Sequence, residues 1–157
     1  VRASTAGPVT IVTGHEAVRV RAALPGNLAF VHNPDYAAGL STSLKAGISA
    51  LPADIDGVLV CLGDMPRISP AMIDRLIAAF DPVEGREICV PTHKGKRGNP
   101  VLWGKRFLPE MAALAGDVGA KHLIGTHADL VAEVEIEEDG VLIDIDTPDA
   151  LTRYQAS

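Results

Sequence analysis

No stretch of this 157-residue chain approaches the roughly 20 consecutive apolar residues that a bilayer-spanning helix requires. Nor does the N-terminus show a charged region, an apolar segment and a cleavage site in succession, so a soluble cytoplasmic protein is expected and a membrane partner is not. Positive charge is scarce as well. Fourteen Lys and Arg against twenty Asp and Glu give a formal charge of -6 and a pI near 5.3, which argues against the clustered cationic surface that nucleic acid demands. Cysteine is limited to Cys61 and Cys89, both inside apolar runs and without C-x-x-C spacing, and both are expected as reduced core residues. The histidines (His15, His32, His93, His122 and His127) include no pair three or four apart, which removes the usual zinc pattern. Internal repeats and low-complexity tracts are missing. So are the GxxxxGK[ST] phosphate loop and the GxSxG nucleophile elbow.

What remains is 47% hydrophobic, enough for one globular domain with a real core. Short apolar runs alternate with amphipathic segments, and Gly, Pro, Ser or Asp marks most junctions, a βα pattern that predicts an α/β fold. Strands are predicted at 9–13, 28–32, 58–62, 88–90, 101–103 and 131–136, the last half-exposed, and again in "VLIDID" after the Asp139-Gly140 turn. Helices are predicted at 16–24, 41–51, from Ser69-Pro70 onward with Met72, Ile73, Leu76, Ile77 and Phe80 facing the core, at 105–114, after Asp117, and from Thr147-Pro148. The run "VLVCL" (Val58 to Leu62) lacks polar alternation, as a parallel strand buried on both faces would.

That strand leads straight into Gly63 and Asp64. Ligands of open α/β sheets bind beyond the carboxyl ends of the strands, and a hard cation such as Mg²⁺ prefers carboxylate oxygens there. Asp64 is therefore a candidate metal ligand, with a cap on the Ser69 helix as the equal alternative. A nucleoside triphosphatase would use such an aspartate too, but it needs the phosphate loop. An aspartyl-phosphate phosphatase would have its helper carboxylate two residues on, where Pro66 stands. In "LIDIDTPDAL", Asp144 and Asp146 would share one face of a strand, and Asp146 would sit at its end, either capping the next helix or meeting Asp64.

The phrases "TIVTGHEAVRVRAAL", "NPDYAAGLSTSLKAG", "VLVCLGDMPRISPAMIDRLIAAF", "RGNPVLW", "GDVGAKHLI" and "DIDTPDAL", in this order over nearly the whole chain, resemble the nucleotidyltransferases of the molybdenum cofactor cytidylyltransferase type, the MobA-like NTP transferases. The resemblance implies a three-layer, Rossmann-like, mostly parallel sheet of the nucleotide-diphospho-sugar-transferase kind. It also implies transfer of a nucleotidyl group from CTP or another NTP to a phosphorylated small-molecule acceptor, for this branch molybdopterin, with release of pyrophosphate. Mg²⁺ is the implied cofactor, held by Asp64, Asp146 and, less centrally, Asp144; Asp64 and Asp146 are the implied catalytic pair. Gly39, Ser41, Ser43 and Gly63 fall where similar proteins hold the nucleotide. Arg97, Gly98, Asn99 and Pro100 of "RGNP", together with Gly116 and Gly119, fall on the acceptor side. Lys94 and Lys96 would be phosphate contacts or simply solvated.

Similar proteins open with a strand and a Gly-rich signature of the form LAAGxSxRMGxxK. These residues match the family from its second strand onward, as one nucleotidyltransferase-like domain over 1–157 without that N-terminal strand and phosphate loop. Such a chain would be expected to self-associate or to take the strand from a partner. A related transferase with guanylyl preference or another acceptor is the alternative within the family, and a non-catalytic nucleotide-binding or interaction remnant of the fold is the alternative outside it.

Overall fold

A computed structural model describes residues 1–116, 119–145 and 147–155. The chain forms two compact units, one built from residues 7–58 and 104–128, the other from 1–6, 59–103 and 129–157.

In the first unit, β1 (Thr10–Thr13) and β2 (Ala29–His32) pair in parallel, Thr10 opposite Ala29 through Thr13 opposite His32. Their β-branched and aromatic residues suit a pleated ladder. Helix α1 (Ala17–Ala23) connects them and buries none of its residues. A 3₁₀ turn at Tyr36–Ala38 leads to α2 (Leu40–Ser49), whose Gly47 lets the helix approach β1: a Cβ there would lie 3.1 Å from a Val12 methyl. The helix expected at 105–114 is divided. Lys105–Phe107 is 3₁₀ and only Leu108–Ala112 is α-helical (α4), with Pro109 in its first turn, where the missing N–H costs nothing. Helix α5 (Lys121–Thr126) completes this unit. Asp117, expected to cap a helix here, lies outside the described residues.

Strand β3 (Gly57–Val60) leads into the second unit. Helix α3 (Pro70–Ala79) starts where Ser69-Pro70 predicts. The Ser69 hydroxyl accepts from the Met72 amide at 3.3 Å, and Met72, Ile73 and Leu76 are buried. Strands β4 (Ile88–His93), β5 (Lys96–Arg97), β6 (Val101–Gly104) and β7 (Val131–Glu135) follow. The sheet order is β3-β6-β4-β5, with β7 also on β4. β4 runs parallel to β7 over five pairs and antiparallel to β5 and β6 over two pairs each, so the longer ladders are the parallel ones of an α/β fold. Leu76, Cys89 and Leu102 form one core cluster, flanked by Leu59, Phe80 and Val134; Met72, Ile136 and Val141 form another. Helix α6 (Pro148–Gln155) ends the described chain.

Three expectations change. The buried central strands are β4 and β6, while β3 is half-buried and stops at Val60. β3 ends the strand order, and a strand paired along one edge is covered less than one paired along two. As a consequence Cys61 is exposed and only Cys89 is a core cysteine. Third, the described residues of "VLIDID", 141–145, are not a strand. Asp139–Leu142 is 3₁₀ and 143–145 have no regular structure. Gly140 and Val141 are held by tertiary contacts: a Cβ on Gly140 would lie 2.6 Å from the Arg67 carbonyl oxygen, and the Val141 carbonyl accepts the Asn99 amide at 2.9 Å.

Candidate active site

The GDMP turn follows the end of β3. Asp64 does not cap α3, because Ser69 fills that role with its own hydroxyl. The Asp64 main-chain carbonyl instead accepts the Ile145 amide at 2.9 Å. This bond brings Ile145, and Asp144 before it, alongside the GDMP turn, although 143–145 are not in a strand. Asp144 is exposed beside this bond; Asp146 lies outside the described residues. The Asp64 Oδ1 atom is buried and has no hydrogen-bond partner among the described residues. A buried carboxylate oxygen without a donor is costly, and a divalent cation is one species that would offset that cost. The residues present thus fit a metal. Among the described residues no group of three or more His, Cys, Asp or Glu side chains gathers to hold one. Gly63 is exposed, and a Cβ there would meet nothing within 4 Å, so this backbone is open to a ligand.

The RGNP loop belongs to the same unit. Gly98 donates its amide to the Pro91 carbonyl at 2.8 Å, and a Cβ on it would collide with the Val141 carbonyl oxygen. Pro100 is fully buried after a cis Asn99-Pro100 bond. Exposed Arg97 donates from Nε to Glu133 at 2.7 Å. The Lys94 amide donates to Glu135 at 2.9 Å, and Thr92 donates its hydroxyl to the same carboxylate at 2.7 Å. These two bonds, the Thr92 one foremost, hold the Glu135 carboxyl below the usual range.

In the other unit, Gly39 precedes α2 with φ 112° and ψ 170°, a conformation that side chains resist. Neither serine acts as a cap. Ser41 is 1% exposed, its hydroxyl has no partner among the described residues, and its amide donates to the Gly116 carbonyl at 3.3 Å. Gly119 lies against Leu40 at 3.3 Å from a would-be Cβ. Gly116 and Gly119 are therefore placed at the start of α2, beside Gly39 and Ser41, and the RGNP loop is in the other unit. Buried Asn33 donates to the hydroxyls of Thr42 (2.8 Å) and Ser43 (3.0 Å) and accepts the Asp35 amide (3.0 Å). A shallow cleft of about 530 Å³ is lined by residues 36–40 and Ser43. Sequence reasoning takes Asn33-Pro34-Asp35 as a turn and misses Asn33 as the residue that orients Ser43. The available signal is an amide side chain directly after a parallel strand.

The model of the MobA-like NTP transferase domain matches residues 1–131. The chain belongs to the MobA-like NTP transferase family. It is 30% identical over 145 residues to the molybdenum cofactor cytidylyltransferase of Escherichia coli, covering 90% of this chain and 70% of that one. A Mycobacterium tuberculosis protein solved with manganese is 26% identical, with a TM-score of 0.82, over 99% of this chain and 81% of that one. A nucleotidyl transferase from Methanothermobacter is 25% identical, with a TM-score of 0.77, over 97% and 73%. The fold is that of the nucleotide-diphospho-sugar transferases, and members of this nucleotidyltransferase family use nucleoside triphosphates. No helix among the described residues is long and apolar enough to cross a membrane.

Proposed function

We propose that this member of the family transfers a cytidylyl group from CTP to the terminal phosphate of a molybdopterin-type acceptor. The observation that carries the reading is the buried Asp64 Oδ1 at the GDMP turn, without a partner among the described residues, on a residue whose carbonyl accepts the Ile145 amide. An acceptor phosphate oxygen attacks the α-phosphorus, the bond between the α-phosphorus and its bridging oxygen breaks, and pyrophosphate leaves. The choice of CTP and of molybdopterin rests on the identity to the Escherichia coli enzyme.

Asp64, Asp144 and Asp146 would hold Mg²⁺, which when bound offsets charge on the triphosphate and the departing pyrophosphate. Gly39 offers backbone that a nucleotide can approach closely. The Asn33-oriented hydroxyl of Ser43 offers a hydrogen bond at the cleft, and Ser41, buried behind it and without a hydroxyl partner among the described residues, is the second polar group of this side. Gly63 leaves room beside Asp64. Arg97, Gly98, Asn99 and Pro100 form an acceptor-side loop; Gly116 and Gly119, expected on that side, lie instead against Ser41 and Leu40 and are assigned to the nucleotide side; and residues 1–157 act as one nucleotidyltransferase domain.

The test is pyrophosphate release by the intact protein with Mg²⁺, molybdopterin and CTP, GTP or ATP in turn. The reading expects turnover with CTP and the acceptor together. Preference for GTP would reverse the base assignment. Binding of CTP without release under any pairing would replace the enzyme by a nucleotide-binding relative of the fold.

A further inference from the structure

The cleft before α2 has one aromatic side chain in its wall. Tyr36 is 41% exposed and Leu40, on the same cleft, 47%. Two half-exposed apolar side chains on one cleft form a surface that a flat, partly apolar group could cover. We propose that Tyr36 is the residue on which the nucleobase stacks, with His15 behind it, which rests on the reading above that this cleft receives the nucleotide.

Three features fix the ring in advance. A Cβ on Gly14 would come within 2.5 Å of the Tyr36 Cβ, so the root of the side chain is seated directly on the backbone after β1. The His15 and Tyr36 ring centroids are 5.9 Å apart at 57°, a tilted packing that favours one ring position. The 3₁₀ turn at Tyr36–Ala38 closes with the Gly39 amide donating to the Tyr36 carbonyl at 3.3 Å. In the lining of the same cleft, Ser43 accepts from the Asn33 amide at 3.0 Å. The Ser43 proton finds no acceptor among the described residues and is available to a ligand carbonyl or hydroxyl. An aromatic residue and a hydroxyl in the lining of an open cleft of about 530 Å³ are the chemistry that a nucleobase could engage. Stacking on an aromatic ring accepts any base, so Tyr36 would contribute affinity and the hydroxyl side discrimination.

The test is calorimetric titration of the intact protein with CTP and, as a probe without a base, inorganic tripolyphosphate, each with Mg²⁺. Tyr36→Phe keeps the π-face and should bind CTP like the wild type. Tyr36→Leu keeps apolar bulk but no π-face, and Tyr36→Ala keeps the Cβ that rests on Gly14. Both should weaken CTP on the order of tenfold or more and leave tripolyphosphate unchanged. An unchanged CTP affinity in the Leu and Ala variants, or equal loss for both probes, overturns the inference while the nucleotide reading stands. Wild-type protein that binds neither probe overturns the nucleotide reading and the inference with it. Should the variants fail to fold, a nuclear Overhauser contact between the cytosine and Tyr36 ring protons in the wild type supports stacking, and its absence in a CTP-saturated sample contradicts it.

Discussion

The Ile145 amide donates to the Asp64 carbonyl at 2.9 Å, and that bond ties together the two acidic segments at the end of β3. Because it uses main-chain atoms, it survives substitution of either side chain. The Asp64 carboxylate can then be altered without dismantling the loop. In this respect Asp64 differs from Gly98 and Gly140, whose backbones are packed against Val141 and Arg67.

Gly98→Ala is expected to destabilise the fold by about 1–3 kcal/mol, the range for forced overpacking, because the added methyl runs into the Val141 carbonyl that accepts Asn99. Gly63→Ala meets nothing within 4 Å and should leave stability unchanged. Urea denaturation of both variants checks the contrast. Loss of turnover in Gly63→Ala at unchanged stability would then mark ligand approach.

Gly39→Ala should cost about 1–3 kcal/mol, since φ 112° with ψ 170° lies where only glycine is comfortable. The same denaturation series reads it. Stability equal to wild type would mean that the turn before α2 relaxes freely.

Glu135 gives a pH dependence of known sign. The Thr92 hydroxyl and the Lys94 amide lower its pKa from the ordinary 4.5. The stability it contributes is therefore present above that value and is lost as pH falls through the lower folded value. Thr92→Val should move the Glu135 midpoint upward in an NMR titration, with the Lys94 amide holding part of the shift. A midpoint that does not move would assign the effect elsewhere.

The two thiols should separate under a thiol reagent in mildly alkaline buffer. Burial pushes the Cys89 pKa up to about 11 and the residue is fully covered, so it should react only after unfolding, while Cys61, exposed but with its thiol also raised by desolvation, should label slowly in the native protein. Two native thiols reacting at one rate would contradict the packing of β4.

Much of this was legible because local chemistry and tertiary structure agree. Thr10–Thr13 and Ala29–His32 are strands by composition, and Ser69-Pro70 starts α3 by cap and ring geometry. The sequence misleads where distant contacts decide. "VLIDID" alternates like a strand, yet Gly140 lies against Arg67 and Val141 against Asn99, partners some 40 to 70 positions away in the chain. "VLVCL" reads as a central strand because apolar content does not reveal which strands flank it. Asp64 was visible as a carboxylate after a strand, but its unpartnered oxygen and its tie to Ile145 were not. Asn33 and Tyr36 were hidden inside a turn signal, since their value lies in what they face.

The proposed role of Asp64, nucleotidyl transfer through a divalent cation, is tested by Asp64→Ala in the intact protein, assayed by pyrophosphate release with CTP, acceptor and Mg²⁺. The rate should fall on the order of a hundredfold or more, with thermal stability unchanged or raised because a buried oxygen without a partner among the described residues is gone. Wild-type turnover by a folded Asp64→Ala protein would rule that role out.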